Sequence, residues 1–304
     1  MRLLDILLLK GFAINNLATY EPTMKALRSA QLVVADNVAE YYSLQIIDYD
    51  KNDLTFAVTD FPNIVPPYAT TFVEYKTSAR SAAFKACEYA GCLVEMHNPS
   101  DFALSSKLRS DGVDVFATLL CKLFLFYRHD QKAHEVVEFI IPVLKDGSLA
   151  IKSSERQIPI TGRTLEDNKF LLDDNTGKHL GFMAVEFLYS ALLAFSFMHC
   201  KNVRMVDAEI KPKAARRYTE KTGKALVRYK VLEIDHLKEI LRTEGKSEET
   251  GLKQALHFCR NHFRSYGVDG KGLLFGKHAG IFFVPQHTRG SIEKGVVVKD
   301  YKVK

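Results

Sequence analysis

A nearly unbroken apolar run near the middle of the chain limits what this protein can fold into more than any other segment. The run HLGFMAVEFLYSALLAFSFMHC covers residues 179–200. A helix that is apolar on every side needs either a lipid bilayer or the interior of a large protein. Glu186 lies within the run, and neither flank carries a basic cluster. We therefore predict a buried helix at the centre of a soluble protein and no membrane span.

The length of the chain allows one large domain or two smaller ones. It has 304 residues, of which 47% are hydrophobic and 26% charged, as in ordinary globular proteins. The polar stretch at residues 153–177 holds Pro159, Gly162 and the run Asp173-Asp174-Asn175, which is typical of a linker. We expect an α+β N-terminal domain over residues 1–162 and a basic C-terminal domain over residues 163–304.

The N-terminal half is predicted to contain both helices and strands, with strands in the majority. The apolar spacing over residues 23–44 predicts an amphipathic helix, whereas TTFVEYK, GCLVEMH and the segments around residues 116–151 are rich in strand-forming residues. Asp146-Gly147 marks a hairpin turn. The opening segment MRLLDILLLKGF is too short and too interrupted for a signal peptide, so we expect a buried first element. The expected fold class is α+β, with a mainly β N-terminal half, the buried central helix and a C-terminal antiparallel sheet.

The cysteines give no sign of a disulfide framework or a zinc ribbon. They are odd in number and have no CxxC spacing. A reducing compartment fits this pattern, so we expect a cytoplasmic protein without a cofactor. The five are Cys87, Cys92, Cys121, Cys200 and Cys259.

Positive charge is concentrated in the C-terminal third. Residues 209–304 hold 21 Lys and Arg against 11 Asp and Glu, a net charge of +10, although the whole chain carries only +6. Between Lys211 and Lys230, eight basic residues meet one acid, Glu220. Pro212 opens a predicted short helix and Gly223 closes it. Such a cluster is either a solvated basic surface or a contact for a polyanion.

Residues 256–290 concentrate imidazole and guanidinium groups. Four of the ten histidines lie here, and Asp269 is the one carboxylate. Strand, turn and strand patterns predict an antiparallel sheet with a basic face, which suits phosphate groups. Phe282 and Phe283 could stack on bases if exposed. The residues expected to contact nucleic acid are Lys211, Lys213, Arg216, Arg217, Arg228, Lys230, Arg260, Arg264, Tyr266 and Lys277.

Three residues of this segment could also support catalysis. Two histidines and a cation can cleave RNA without metal, so His262, His287 and Arg289 would suffice if they converge on one ligand. A zinc site from His257, Cys259 and His262 is disfavoured, because strand alternation separates His262 from the other two. Phosphate-loop, dinucleotide-binding and nucleophile-elbow motifs are lacking.

The same segment resembles a known group of proteins. LHFCRNHFRSY, LFGKHAG, HTRGS and GVVVKDYKV are similar to the C-terminal signature of a group encoded in phage genomes and in prophage-like or mobile bacterial regions, for which no activity is established. The basic segment NVRMVDAEIKPKAARRYTEKTGKALVRYKVLEI also resembles the one that precedes this signature in that group, so the likeness covers residues 202–303. Asn261 stands where similar proteins have glycine, which bears on any close approach of backbone to ligand there. The resemblance implies a phage or mobile-element setting and supplies no mechanism.

Together these observations predict a nucleic-acid-binding protein whose basic C-terminal face contacts phosphates. Two other functions stay open. One is a metal-independent ribonuclease that uses His262, His287 and Arg289. The other is a phage interaction protein whose basic face binds an acidic host protein.

Overall fold

The fold is known from a computed structural model, which describes residues 2–13, 17–40, 61–77, 87–127, 131–150, 161–164, 177–223, 228–234, 255–259, 262–267, 272–274, 276–284, 287–289 and 291–296. The helices are α1 (Leu3–Lys10), α2 (Leu17–Ser29), α3 (Ala103–Ser110), α4 (Gly177–Met198) and α5 (Pro212–Thr222). The strands are β1 (Gln31–Val34), β2 (Thr70–Lys76), β3 (Cys87–His97), β4 (Val115–Tyr127), β5 (Lys132–Leu144), β6 (Thr161–Thr164), β7 (Val203–Asp207), β8 (Lys230–Ile234), β9 (Ala255–Cys259), β10 (His262–Tyr266), β11 (Gly280–Val284), β12 (His287–Arg289) and β13 (Ser291–Val296).

The chain forms two compact units. Unit 1 comprises Met1–Met198 and Met205–Leu232, and unit 2 comprises His199–Arg204 and Glu233–Lys304. The expected boundary at residue 162 is not where these units divide, because β6 pairs with β5 and so belongs to the sheet of unit 1. Most of the polar stretch on which that prediction was based lies outside the described residues.

An eight-stranded mixed sheet forms the centre of unit 1. Its strand order is β6-β5-β4-β3-β2-β1-β8-β7. Neighbouring strands from β2 to β6 are antiparallel, whereas β1 runs parallel to both β2 and β8. The expected α+β class and the strand-rich N-terminal half are confirmed.

Helices cover both faces of this sheet. Leu4 of α1 and Leu27 of α2 join a buried cluster with sheet residues that include Phe72. On the opposite face α4 packs against β2, β3 and β4, and the Tyr75 hydroxyl donates a hydrogen bond of 2.6 Å to the Phe187 carbonyl. Burial on both faces explains why β4 is an almost continuous apolar run.

The prediction of a buried central helix is confirmed for the described side chains of α4. Residues from Phe187 to Phe195 are all buried, and Leu192 and Phe195 have no exposed surface. The side chain of Glu186 lies outside the described residues. No helix in the described part of the chain is both long enough and apolar enough to cross a membrane.

The helix predicted over residues 23–44 is wrong in its middle. Helix α2 ends at Ser29, and Gln31–Val34 forms β1 between β2 and β8. Leu32, Val33 and Val34 are all buried there. Helical spacing is a local signal. Here the chain forms a strand instead, because a position between two parallel strands buries β-branched side chains on both faces.

Gly91 in β3 is required for α1 to approach the sheet. A Cβ atom at this position would lie 2.5 Å from Cζ of Phe72 and 2.9 Å from Cδ2 of Leu3. Any other residue would therefore push apart the cluster beneath α1.

Strands β9 to β13 belong to unit 2 and form two separate sheets, so the single antiparallel sheet predicted there is confirmed only for the pairs β10–β11 and β9–β12. β10 pairs with β11 and β9 pairs with β12, both antiparallel, whereas β13 pairs with β9 in parallel. The buried side chain of Asn202 holds the backbone of Phe283 through two hydrogen bonds, of 2.8 and 2.9 Å. This amide takes the place of a further strand beside β11.

Candidate nucleic-acid interface

Helix α5 carries the densest group of predicted contact residues. Pro212 is suited to the first helical turn, and Gly223 ends the helix in the left-handed conformation with φ 68°. Ala215, Tyr218 and Thr222 are half-buried and recur at spacings of three and four, so they define the inner face of the helix. The predicted start and end of this helix are both confirmed.

A hydrogen bond between side chains attaches α5 to the rest of unit 1. The Tyr218 hydroxyl donates to Oδ1 of Asp5 at 3.1 Å, and Asp5 is buried and also accepts from the backbone N–H of Arg2. Burial, together with the Asp5 carboxylate, raises the pKa of Tyr218 to about 12. The hydroxyl thus remains protonated at physiological pH, and it fixes which side of α5 faces outward.

The outward face of α5 presents a stripe of exposed cations. Lys213, Arg216, Arg217 and Lys221 stand at positions i, i+3, i+4 and i+8, which lie on one side of a helix. Arg216 donates to Glu220 at 2.8 Å, one turn further on. Within the described residues the other three cations have no ion-pair partner. The four are named the α5 stripe below.

Three further predicted contact residues lie close to α5 in sequence. Lys211 is exposed at the N-cap of the helix, and Arg228 is exposed just before β8. Lys230 is half-buried and its ammonium lies 2.8 Å from Oδ1 of Asp207. Tyr68, which is 38% exposed, is close enough to Lys230 to affect the pKa of its ammonium. Lys230 already has a protein partner, so it is a weaker candidate than the α5 stripe.

Unit 2 exposes a second, separate set of polar groups on β10. His262 and Arg264 are exposed at alternate positions, as predicted. The Arg264 guanidinium lies 4.9 Å from the centre of the Tyr266 ring, which in turn contacts Phe282 edge-on. Lys277 is exposed in the turn before β11.

The aromatic pair of β11 is part of the hydrophobic core. Phe282 and Phe283 are each only 3% exposed, so neither ring is available to a base. The expectation that they could stack on nucleic acid is therefore not met.

The shared catalytic site stays a prediction. Arg260 lies outside the described residues, as do the side chains of His287 and Arg289. The backbone pairs His262 with Val284 and His287 with Cys259, in two separate sheets.

An ionic cluster around the buried Glu74, at the N-terminus of α1, was not predicted from the sequence. Arg2 lies 3.0 Å from Asp36 and 3.7 Å from Glu74, and the Glu74 carboxylate accepts the Leu4 N–H at 2.8 Å. Burial raises the pKa of Glu74 to about 7, against the opposing effects of the Leu4 N–H and Arg2. These residues come from α1, β2 and the end of β1, more than thirty residues apart, so no local spacing could have revealed them.

The cluster has the character of a structural anchor. Glu74 has no exposed surface and thus cannot reach a substrate. Within the described residues no group of three His, Cys, Asp or Glu side chains could hold a metal ion.

No family model matches this chain, and no curated protein and no solved structure is significantly similar to it.

Proposed function

We propose that the protein binds nucleic acid through the α5 stripe, with Lys211 and Arg228 as further phosphate contacts. The observation that carries the proposal is the exposure of four cations on one face of a helix whose orientation is fixed by the bond from Tyr218 to Asp5. Solvated cations can neutralise phosphates, and the release of counterions from the nucleic acid then drives binding. His262, Arg264 and Lys277 of unit 2 are secondary candidates.

The phage or mobile-element setting rests on the resemblance of residues 202–303 alone. An acidic host protein would be attracted by the same cations, so the experiment must separate the two ligands. Nucleic acid is the better candidate because Lys213, Arg217 and Lys221 form one row at spacings of four, as a line of phosphates requires. The stripe also includes two arginines, which bind phosphate through paired hydrogen bonds.

The test compares two double variants that change the charge of the protein equally. Lys213→Gln with Arg217→Gln removes two cations from the α5 stripe, whereas Lys107→Gln with Arg109→Gln removes two exposed cations from α3. Binding to a labelled oligonucleotide is measured between about 50 and 200 mM salt. The α5 double variant should bind more weakly, and its slope of log affinity against log salt should be shallower by about 1 to 2.

The α3 double variant should bind like the wild type. Equal losses in both variants would show that only net charge matters and would contradict an interface on α5. Failure of the wild type to bind nucleic acid or heparin at low salt would overturn the proposed function itself.

A further inference from the structure

We infer that the ligand of the α5 stripe is a double helix, contacted at its phosphates without reading of its bases. This inference rests on the proposed function and adds the class of nucleic acid. It follows from what the outward face of α5 contains and from what it lacks.

The stripe has the dimensions of a duplex contact. Lys213 and Lys221 are eight residues apart, or about 12 Å along a helix axis. This length is comparable with the width of the major groove of B-form DNA, about 12 Å. A rigid line of cations of this length matches phosphates held at fixed spacing. A flexible single strand gains less from it, because its charges must first be brought into line.

Base stacking has no platform on this face. The one aromatic residue of α5, Tyr218, is on the inner side with its hydroxyl bound to Asp5. The ring of Tyr229 is covered by the Arg2 guanidinium, 5.1 Å from its centre. Proteins that hold single strands normally combine a basic groove with exposed aromatic rings, and the described residues of α5 offer only the cations.

Side chains that could recognise bases are also few on α5. Its sequence, PKAARRYTEKT, contains no Asn or Gln, the side chains that recognise adenine with two hydrogen bonds. The two arginines could contact guanine only if α5 entered the groove. One feature favours a position outside the groove: Glu220 lies 2.8 Å from Arg216, and inside the groove its carboxylate would be brought against the acceptor atoms of the bases.

Tyr68 provides the test of the alternative. It is 38% exposed and lies near Lys230, so its ring could stack on an unpaired base that passes beside this lysine. If single strands are the ligand, Tyr68→Ala should weaken binding. If a duplex is the ligand, the change should have no effect.

The experiment measures binding of the full chain, as wild type and as Tyr68→Ala, to labelled 20-nucleotide oligonucleotides of several sequences. Each sequence is used as duplex DNA, duplex RNA and single strands. We expect duplexes to bind about tenfold more tightly at 50 mM salt, since four contacts release more counterions from a duplex than from a single strand. Affinities for duplexes of different sequence should agree within about threefold, because phosphate contacts carry no sequence information.

The outcomes separate this inference from the proposed function. Tighter binding to single strands, a loss of binding in Tyr68→Ala, or a strong preference for one duplex sequence would overturn the inference and leave nucleic-acid binding intact. No binding to any of the oligonucleotides would overturn the proposed function and the inference with it. The DNA and RNA duplexes then identify which double helix is bound.

Discussion

The ionisable residues beneath α1 and α2 and those of the α5 stripe have opposite surroundings. Beneath the two helices, Glu74, Lys122 and Glu135 are buried. The Lys122 ammonium donates to the Thr23 hydroxyl at 2.7 Å and lies 3.6 Å from Glu138. Burial raises the pKa of Glu135 to about 7, although Lys122 opposes this. The cations of the α5 stripe instead remain in water.

This difference determines what each set of charges can do. A buried charge interacts strongly with its neighbours, and its desolvation makes the stability of the fold depend on its partners and on pH. A solvated charge contributes little to folding, so its interaction remains available to an external anion. We therefore expect changes beneath the helices to alter stability and changes in the α5 stripe to alter binding.

The largest effect should follow from placing a charge in the interior without a partner. Leu192 lies on α4 with no exposed surface, and Leu192→Asp would bury a carboxylate among apolar side chains. We expect the free energy of unfolding to fall by about 4 kcal/mol or more, enough to unfold many domains. Circular dichroism and denaturant titration would measure it.

Leu192→Met is the matched control, since it conserves volume and should cost less than about 1.5 kcal/mol. A folded Leu192→Asp protein of nearly wild-type stability would mean that α4 is not buried against the sheet.

The next effect concerns Glu74, whose pKa of about 7 lies above its ordinary value of 4.5 because of burial. The folded state holds this proton more tightly than the unfolded state does. The free energy of unfolding should therefore fall as pH rises from about 4.5 to about 7 and then level off. Glu74→Gln keeps an acceptor for the Leu4 N–H and removes the titration. The wild type should lose up to roughly 3 kcal/mol relative to this variant between pH 5 and pH 8.

Denaturant unfolding at several pH values would measure this difference. Glu135→Gln is the comparison, because the pKa of Glu135 is also raised to about 7 by burial, and each variant should remove its own share of the pH dependence. An unchanged pH profile in Glu74→Gln would show that this carboxylate does not titrate in the folded protein in that range.

The parts of the fold that the sequence predicted correctly depend on local patterns. Helix α5 begins at Pro212 and ends before Gly223 because proline and glycine have fixed conformational preferences there. The long apolar run of α4 could only be buried or enter a membrane. Its interior position followed from Glu186 and from flanks without basic residues, both visible in the sequence.

The parts that could not be predicted depend on partners distant in the chain. β1 is a strand because β2 and β8 enclose it, and neither neighbour is visible in the segment itself. The same holds for Glu74 of β2, whose carboxylate is contacted by Arg2 and by the Leu4 N–H at the start of α1, 70 residues earlier in the chain. In the candidate site, the sequence identified the cations of α5 but not Tyr218, whose bond to Asp5 sets the direction in which they point.

The smallest expected effect on stability, and the sharpest test of the comparison, comes from Glu220. Its carboxylate accepts a hydrogen bond from Arg216 at 2.8 Å in an exposed pair one helical turn apart. Such pairs contribute about 0.3 to 0.5 kcal/mol to a helix, so Glu220→Gln should leave the melting temperature almost unchanged. The same change removes the one acid of helix α5 and releases Arg216 for phosphate. Nucleic-acid binding should strengthen by about three- to tenfold at low salt, with a steeper dependence on salt. Asp101→Asn is the control, because it removes one exposed carboxylate from the short 3₁₀ helix Pro99–Asp101, which precedes α3, and should change binding much less. If Glu220→Gln weakens binding, or if both variants strengthen it equally, the α5 stripe is not the surface that meets the polyanion.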